Sequence, residues 1–250
     1  MKYTRRTILK SGALASVTAL AAPALSYARI RGSNEQIRAA VIGLNGRGQD
    51  HMRGLKDQLV AVCDCDESLL NNRSKDLDVK RFVDFRKLLE QKDIDVVSIA
   101  TPNHTHSLIG IKATEAGKDV YCEKPVSHNV WEGRQLVNAA KKHGRVVQCG
   151  TQSRSSPSLQ EAVKYVRDGQ LGDIKYAVGT CYKPRKSIGK LKKPLSIPGS
   201  VNYDLWCGPA EKRSLYRPSL HYDWHWDFNT GNGDMGNQGI HQMDIARWFL

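Results

Sequence analysis

The chain has 250 residues, 38 Lys and Arg against 25 Asp and Glu, and a formal net charge of +13. That length suffices for one large domain or two small ones. Excess positive charge favours anionic partners, but the basic residues are scattered apart from a run at 182–194, and without zinc-finger spacing, heptads or a mixed basic and aromatic stripe they argue against a nucleic-acid partner.

Residues 1–28 read as an export tag. Lys2, Arg5, Arg6 and Lys10 form a basic start with no acid, and the apolar run "ALASVTALAAPAL" is short and interrupted by Pro23. Such a run is too short to span a bilayer. Small residues at Ser26 and Ala28 predict cleavage after Ala28; cleavage after Ala24 and a retained membrane anchor are the alternatives. "TRRTILK" resembles the twin-arginine signal, with Ile8 where that pattern usually has Phe. The resemblance implies the twin-arginine export machinery as a partner, a periplasmic or extracytoplasmic destination, and no stable membrane insertion after cleavage. That machinery moves proteins that have already folded.

From residue 38 apolar runs alternate with helical segments. "RAAVIG", "LVAVCD", "DVVSIAT", "DVYCEKP" and "RVVQCG" read as buried strands. Between them lie amphipathic or polar stretches with start and stop signals, such as Asp84 as a cap and Gly117 and Gly144 as stops. Continuous apolar strands separated by helices predict a doubly wound parallel sheet over residues 36–150. Beyond it, "SPSLQEAVKYVRDGQLG" predicts a helix capped by Ser156 or Ser158, and "DIKYAVGTCY" (173–182) alternates like a half-exposed strand. Residues 183–233 are rich in turns and aromatics. "GNQGIHQMDIARWFL" opens a helix that the chain does not close, which suggests that 151–250 are the start of a second, incomplete domain.

Six cysteines, at 63, 65, 122, 149, 181 and 207, sit mostly in strand-like runs and read as buried thiols rather than disulfides, since a protein folded before export meets a reducing compartment first. Cys63 and Cys65 are too close for a usual metal pair without a second pair, and no metal is expected.

The turn after the first strand, "AVIGLNGRGQDH", carries a phosphate cradle. The dinucleotide fingerprint G-x-G-x-x-G falls on Gly43, Asn45 and Gly48, with Gly46 and Arg47 between. Gly43 permits the tight turn, Asn45 tolerates the backbone angles of the second position, and the helix start then faces an anion. Asp64 ends the second strand, where an acid binds ribose hydroxyls and repels a 2′-phosphate. NAD is therefore expected, with NADP possible; a plain tight turn is the alternative.

"EKP" at 123–125, after "TPNHTH" at 101–106 and the Gly-rich turn, resembles the glucose-fructose oxidoreductase / inositol dehydrogenase (Gfo/Idh/MocA) family. The likeness runs from about residue 36 to the end. It implies an α/β chain: an N-terminal Rossmann domain, then a C-terminal α/β domain with an open, mostly antiparallel sheet that often pairs subunits into a homo-oligomer. The implied activity is NAD(P)-dependent oxidation of a sugar or polyol hydroxyl. Carried over by residue, Lys124 sits beside the nicotinamide and the reacting hydroxyl, Glu123 supports the turn, and Pro125 follows an unusual, often cis, peptide bond. Thr101, Pro102, Asn103 and His106 line the cofactor side. The family's Asp-x-Gly-x-His falls on Asn237, Gly239 and His241, so the imidazole that would accept the alcohol proton lacks its usual carboxylate. Asp244 is a structural residue or a partner of His241.

Trp224, His225 and Trp226, with Tyr182 and Lys183, offer aromatic faces and charges suited to a sugar; an aromatic core patch is the alternative. Arg154 is a candidate contact to substrate or cofactor. An exported dinucleotide enzyme would have to leave the cytoplasm with its cofactor tightly bound, so hydride taken from one substrate would have to be returned. Two further readings stay open: glycoside cleavage by transient oxidation and elimination, and a silent sugar- or dinucleotide-binding relative.

Overall fold

A computed structural model describes residues 36–250; the expected export tag lies outside the described residues. Six strands, β1 (Ala39–Ile42), β2 (Leu59–Cys63), β3 (Lys80–Phe82), β4 (Val96–Ile99), β5 (Asp119–Glu123) and β6 (Val147–Gly150), form one sheet in the order β3-β2-β1-β4-β5-β6. Every pairing in it is parallel. The helices are α1 (Arg47–Gly54), α2 (Glu67–Ser74), α3 (Phe85–Leu89), α4 (Asn103–Glu115), α5 (Val130–His143), α6 (Pro157–Arg167), α7 (Tyr203–Cys207) and α8 (Ile240–Phe249).

The apolar strands are buried because both faces of the sheet are covered. Ala40 and Ile42 of β1 pack with Leu88 and Leu89 of α3 and Ile109 and Ala113 of α4. Val41 points the other way, onto Met52 of α1 and Leu70 of α2. Strand alternation alone sends neighbouring side chains to opposite faces, so a run of apolar residues serves two cores at once. Each such side chain contributes about 1.5–3 kcal/mol when fully buried. Short polar residues set the helix starts. Asp66 accepts from the backbone N–H groups of Ser68 and Leu69, Asp84 from Arg86, and Asn129 from Glu132, while Gly144 closes α5 in the left-handed region at φ 58°.

Because β1 pairs with both β2 and β4, the chain reverses direction across the sheet there. A crevice opens beyond the carboxyl ends of β1 and β4, the place where open α/β sheets bind ligands. A third cluster, Val201, Trp206, Cys207, Leu215 and Leu220, packs against Cys65 just past β2 and so walls that crevice.

Residues 173–182 correct one expectation. They form no ladder, and among the described residues no antiparallel sheet is present, only an isolated antiparallel bridge between Asp66 and Val201. The alternation is nevertheless real: Ala177, Gly179 and Cys181 are partly buried while Tyr176, Val178 and Tyr182 are exposed. The inward side rests on a helix rather than on a strand. A Cβ on Gly179 would come within 2.7 Å of the Gln242 backbone in α8. A period of two reports that one face is buried, not that the edge is hydrogen-bonded. Among the described residues no helix is long and apolar enough to cross a membrane.

All six cysteines are free, and Cys63, Cys122 and Cys207 are buried as expected. Cys65, Cys149 and Cys181 are only partly so. Burial raises Cys65 to about 12 and Cys149 to about 11, which keeps both as thiols.

Candidate active site

The turn from β1 into α1 is built on two glycines for two reasons. Gly43 has φ 87°, and a Cβ there would lie 2.8 Å from the Ala100 carbonyl at the end of β4. Gly48 would place a Cβ 1.9 Å from the Gly43 carbonyl oxygen. The turn therefore closes tightly against the switch point and presents the start of α1 to the crevice. Asp64 is held from both sides: the backbone N–H groups of Leu44 and Asp66 donate to it at 2.9 and 3.0 Å. Burial pushes its carboxyl above the ordinary carboxylate range, and these two donors only partly offset that. A carboxylate has about four lone-pair sites, so capacity remains for ribose hydroxyls. Asn45 accepts a long 3.4 Å bond from Arg73 of α2.

At the end of β5 the Glu123 carboxylate accepts from the side chains of Arg47 and His51 and from the backbone N–H of Lys124, each at 3.1 Å. Burial would raise Glu123, but His51 and Arg47 overcome it and hold the group below the ordinary carboxylate range. His51 in turn meets the Ser98 hydroxyl at 2.8 Å. The Lys124–Pro125 bond is cis, as the family resemblance implied. His106 is tied between the carbonyls of Pro125 and Thr101, both at 2.7 Å. It therefore fixes the β4 and β5 turns against each other.

The Lys124 ammonium donates to the backbone carbonyl of Asn237. Burial lowers its affinity for a proton. Asn237 belongs to a π-helical turn, Met235–Gly239, that feeds α8; such turns are rare and concentrate at functional sites. Its side chain donates to Asp234 at 3.4 Å, and Asp234 is paired with Arg185 at 2.8 Å. His241 follows one turn on, lowered by burial and then by Lys124, with its Nδ1 buried and unpartnered among the described residues.

These residues meet in one cleft of about 380 Å³. Its phosphate end is lined by Gly43, Asn45, Gly46, Arg47 and Asp64, and its β4 and β5 side by Thr101, Pro102, Asn103, His106, Glu123 and Lys124. Asn237, His241, Trp224 and His225 form the far wall. Gly48 lies behind the turn it permits. The remaining candidates are elsewhere. Arg154 makes a bidentate pair with Asp244 at 2.7 and 2.8 Å, stacks on Trp248, and lines a separate hollow beside Tyr121 and Cys149. Asp244 thus partners Arg154 rather than His241. Tyr182 is 93% exposed, Lys183 reaches Gln238 at 2.8 Å, and Trp226 stands off the cleft wall with Arg185 over its ring.

Sequence reasoning passed over His51, His104, His221 and Tyr222. His104 sits between the carbonyls of Trp206 and Thr230, at 2.9 and 3.1 Å, and burial lowers it to about 4. His221 lines the cleft and bonds Asp66 at 3.0 Å. Tyr222 has φ 66° and ψ −49°, and the Asp223 N–H bonds the His221 carbonyl at 2.8 Å. That is a γ-turn of the rare, strained kind, costing about 1–3 kcal/mol for a side-chain-bearing residue.

A parallel sheet reversing at β1 and β4, with a glycine turn and an acid at the reversal, defines a dinucleotide-binding domain. Residues 37–151 match the GFO_IDH_MocA model, "Oxidoreductase family, NAD-binding Rossmann fold", and have that NAD-binding Rossmann fold. Levoglucosan dehydrogenase of Pseudarthrobacter phenanthrenivorans is 30% identical over 170 residues, covering 67% of this chain and 36% of the relative. The scyllo-inositol 2-dehydrogenase (NAD(+)) of Bacillus subtilis is 31% identical over 58% of this chain and 44% of the relative. A crystal structure of scyllo-inositol dehydrogenase from Lactobacillus casei with NAD(H) and scyllo-inositol superposes at TM-score 0.52 with 26% identity, over 56% of this chain and 43% of that one. The WlbA dehydrogenase structure, at 22% identity, shares the fold over 88% of this chain and 56% of its own at TM-score 0.66. This chain spans less than half the length of these two curated relatives.

Proposed function

We propose that this chain belongs to an NAD-dependent oxidoreductase that acts on a CH–OH group of a sugar or polyol, and that it is exported folded through the twin-arginine machinery with its dinucleotide tightly bound. One observation carries the reading: the Lys124 ammonium bonds the Asn237 carbonyl, so the EKP turn and the segment 237–241 face each other across the cleft that begins at the glycine turn. The residues fit a dinucleotide. Gly43 and Gly48 let the turn close on itself and on the end of β4, Gly46 lines the cleft where a Cβ would meet open space, Asp64 is oriented by two backbone donors, and Lys124 stands at the opposite end. When bound, the nicotinamide supplies a hydride acceptor.

The chain's own residues do the rest. Glu123, pinned by Arg47 and His51, orients the backbone of Lys124. The half-buried ammonium of Lys124 polarises the reacting oxygen, and an imidazole takes the hydroxyl proton. Asn237 positions a substrate hydroxyl, and Trp224 offers an apolar face to a sugar ring. The relatives' substrates, levoglucosan and inositols, are of the same chemical class.

The test is direct. Protein purified from the periplasm is expected to carry stoichiometric dinucleotide by mass spectrometry, and a panel of sugars and polyols is expected to change its nicotinamide absorbance. A stable, folded sample with an empty site sinks the retention reading. Tight dinucleotide with no absorbance change across the panel sinks the redox reading.

A further inference from the structure

We infer that His225, not His241, is the imidazole that exchanges the hydroxyl proton during hydride transfer. The inference rests on the oxidoreductase reading above and assigns its proton acceptor.

Two imidazoles face Lys124 across the cleft, and the fold treats them differently. His225 is oriented. Its Nδ1 donates to the Tyr222 carbonyl, which also accepts the His225 backbone N–H at 3.2 Å. Its ring lies on Trp224, centroids 3.6 Å apart and planes 19° apart. The carbonyl that holds it is aimed by the strained turn at Tyr222, a conformation that persists only where surroundings enforce it. With Nδ1 carrying the hydrogen, Nε2 is the unprotonated nitrogen of the neutral ring. No protein group occupies Nε2 among the described residues, and it is not sealed from the cleft that His225 lines.

His241 has none of this support. Its Nδ1 is buried without a partner, so no protein group sets its tautomer. The neighbour that would do so in the family pattern is Asn237, whose side chain turns to Asp234 instead. Asp244, the other acid near it, is committed to Arg154. His241 therefore serves as a substrate hydroxyl partner.

The step balances within the site. The carbinol C–H bond breaks with its electron pair leaving to the bound dinucleotide, the O–H proton passes to Nε2 of His225, and the carbonyl forms. The reverse step returns both. The groups facing His225 are Lys124 at the end of β5, Arg185 on the extended segment, Asp234 before the π-helical turn, and Tyr222 on its own turn. Burial, then Lys124 and Arg185, hold the imidazole at about 4, so it is neutral at pH 7 and surrenders an acquired proton readily.

Two measurements test the assignment on the holo protein. In ¹⁵N-histidine spectra of the wild type, the resonance lost in His225→Gln is expected to be the Nδ1–H tautomer, staying neutral to below pH 5; an Nε2–H tautomer overturns the inference. This readout needs no substrate. In single-turnover reduction of the bound dinucleotide by levoglucosan or myo-inositol, His225→Gln is expected to lose at least about 100-fold in rate and the acid limb of the pH profile, with dinucleotide content retained. His241→Gln is expected to raise the half-saturating substrate concentration and keep that limb. A His225→Gln enzyme within tenfold of wild type, or loss of the limb in His241→Gln alone, overturns the assignment. If no polyol reduces the wild type, the redox reading fails while the tautomer still decides the orientation claim.

Discussion

Glu123 shows how one buried carboxylate organises the turn that carries Lys124. Its side chain is 6% exposed, yet it stays ionised because Arg47, His51 and the Lys124 N–H all donate to it. Burial alone would raise its affinity for a proton; the donors outweigh that effect. Glu123→Gln keeps the shape but loses the charge and one acceptor, leaving buried donors short. We expect a loss of about 2 kcal/mol at neutral pH, read from urea midpoints. The sign of its pH dependence follows. A carboxyl held low in the folded state stabilises above its unfolded value and loses that contribution as pH falls through the folded one. The gap between wild type and Glu123→Gln should therefore shrink below the ordinary carboxylate range. A gap that stays constant into acid would mean that the charge is not what matters.

At the scale of elements, the β1–α1 turn is the least tolerant unit. A methyl at position 48 has nowhere to go, since the Gly43 carbonyl oxygen would lie 1.9 Å away. Gly48→Ala must open the turn, at a cost of about 3 kcal/mol, and should strip the dinucleotide; thermal unfolding with nucleotide analysis of the purified variant checks both. Retained nucleotide at unchanged melting temperature would contradict the geometry. The glycine spacing and the acid at 64 made this turn legible in sequence, because each residue answers a local backbone need. The apolar strands were legible for the same reason. His51 and His104 were not: their partners lie 72 and 47 residues away for one, 126 and 102 for the other. No local pattern encodes that. The extended segment 173–182 shows a different limit, since its alternation fixes which side is buried but not what buries it. The π-helical turn carrying Asn237 changes the spacing an α-helix would give, so the pairing of 237 with 241 that counting by four predicts is not formed: the Asn237 side chain goes to Asp234.

Across the molecule, the crevice is walled by residues from 195 to 232 folding back over the Rossmann domain. Asp66 takes Ser200 at 2.8 Å and His221 at 3.0 Å while capping α2, His104 ties α4 to Trp206 and Thr230, and Asn103 meets Asn232 at 3.2 Å. The Asp66 contacts lie two residues past Asp64, at the end of the crevice that would hold the adenosine. On the proposed route of folded export with the cofactor aboard, the dinucleotide would have to leave slowly, and this wall is what its departure would have to displace. His221→Ala removes one brace without touching the glycine turn or Lys124. The His221 side chain is 35% exposed, so the lost bond is worth about 1 kcal/mol, which should speed dinucleotide release about fivefold. Stopped-flow displacement of the bound dinucleotide by a fluorescent analogue measures it. If release is unchanged while the wall stays folded, retention comes from the phosphate cradle alone, and the segment 195–232 serves substrate rather than cofactor.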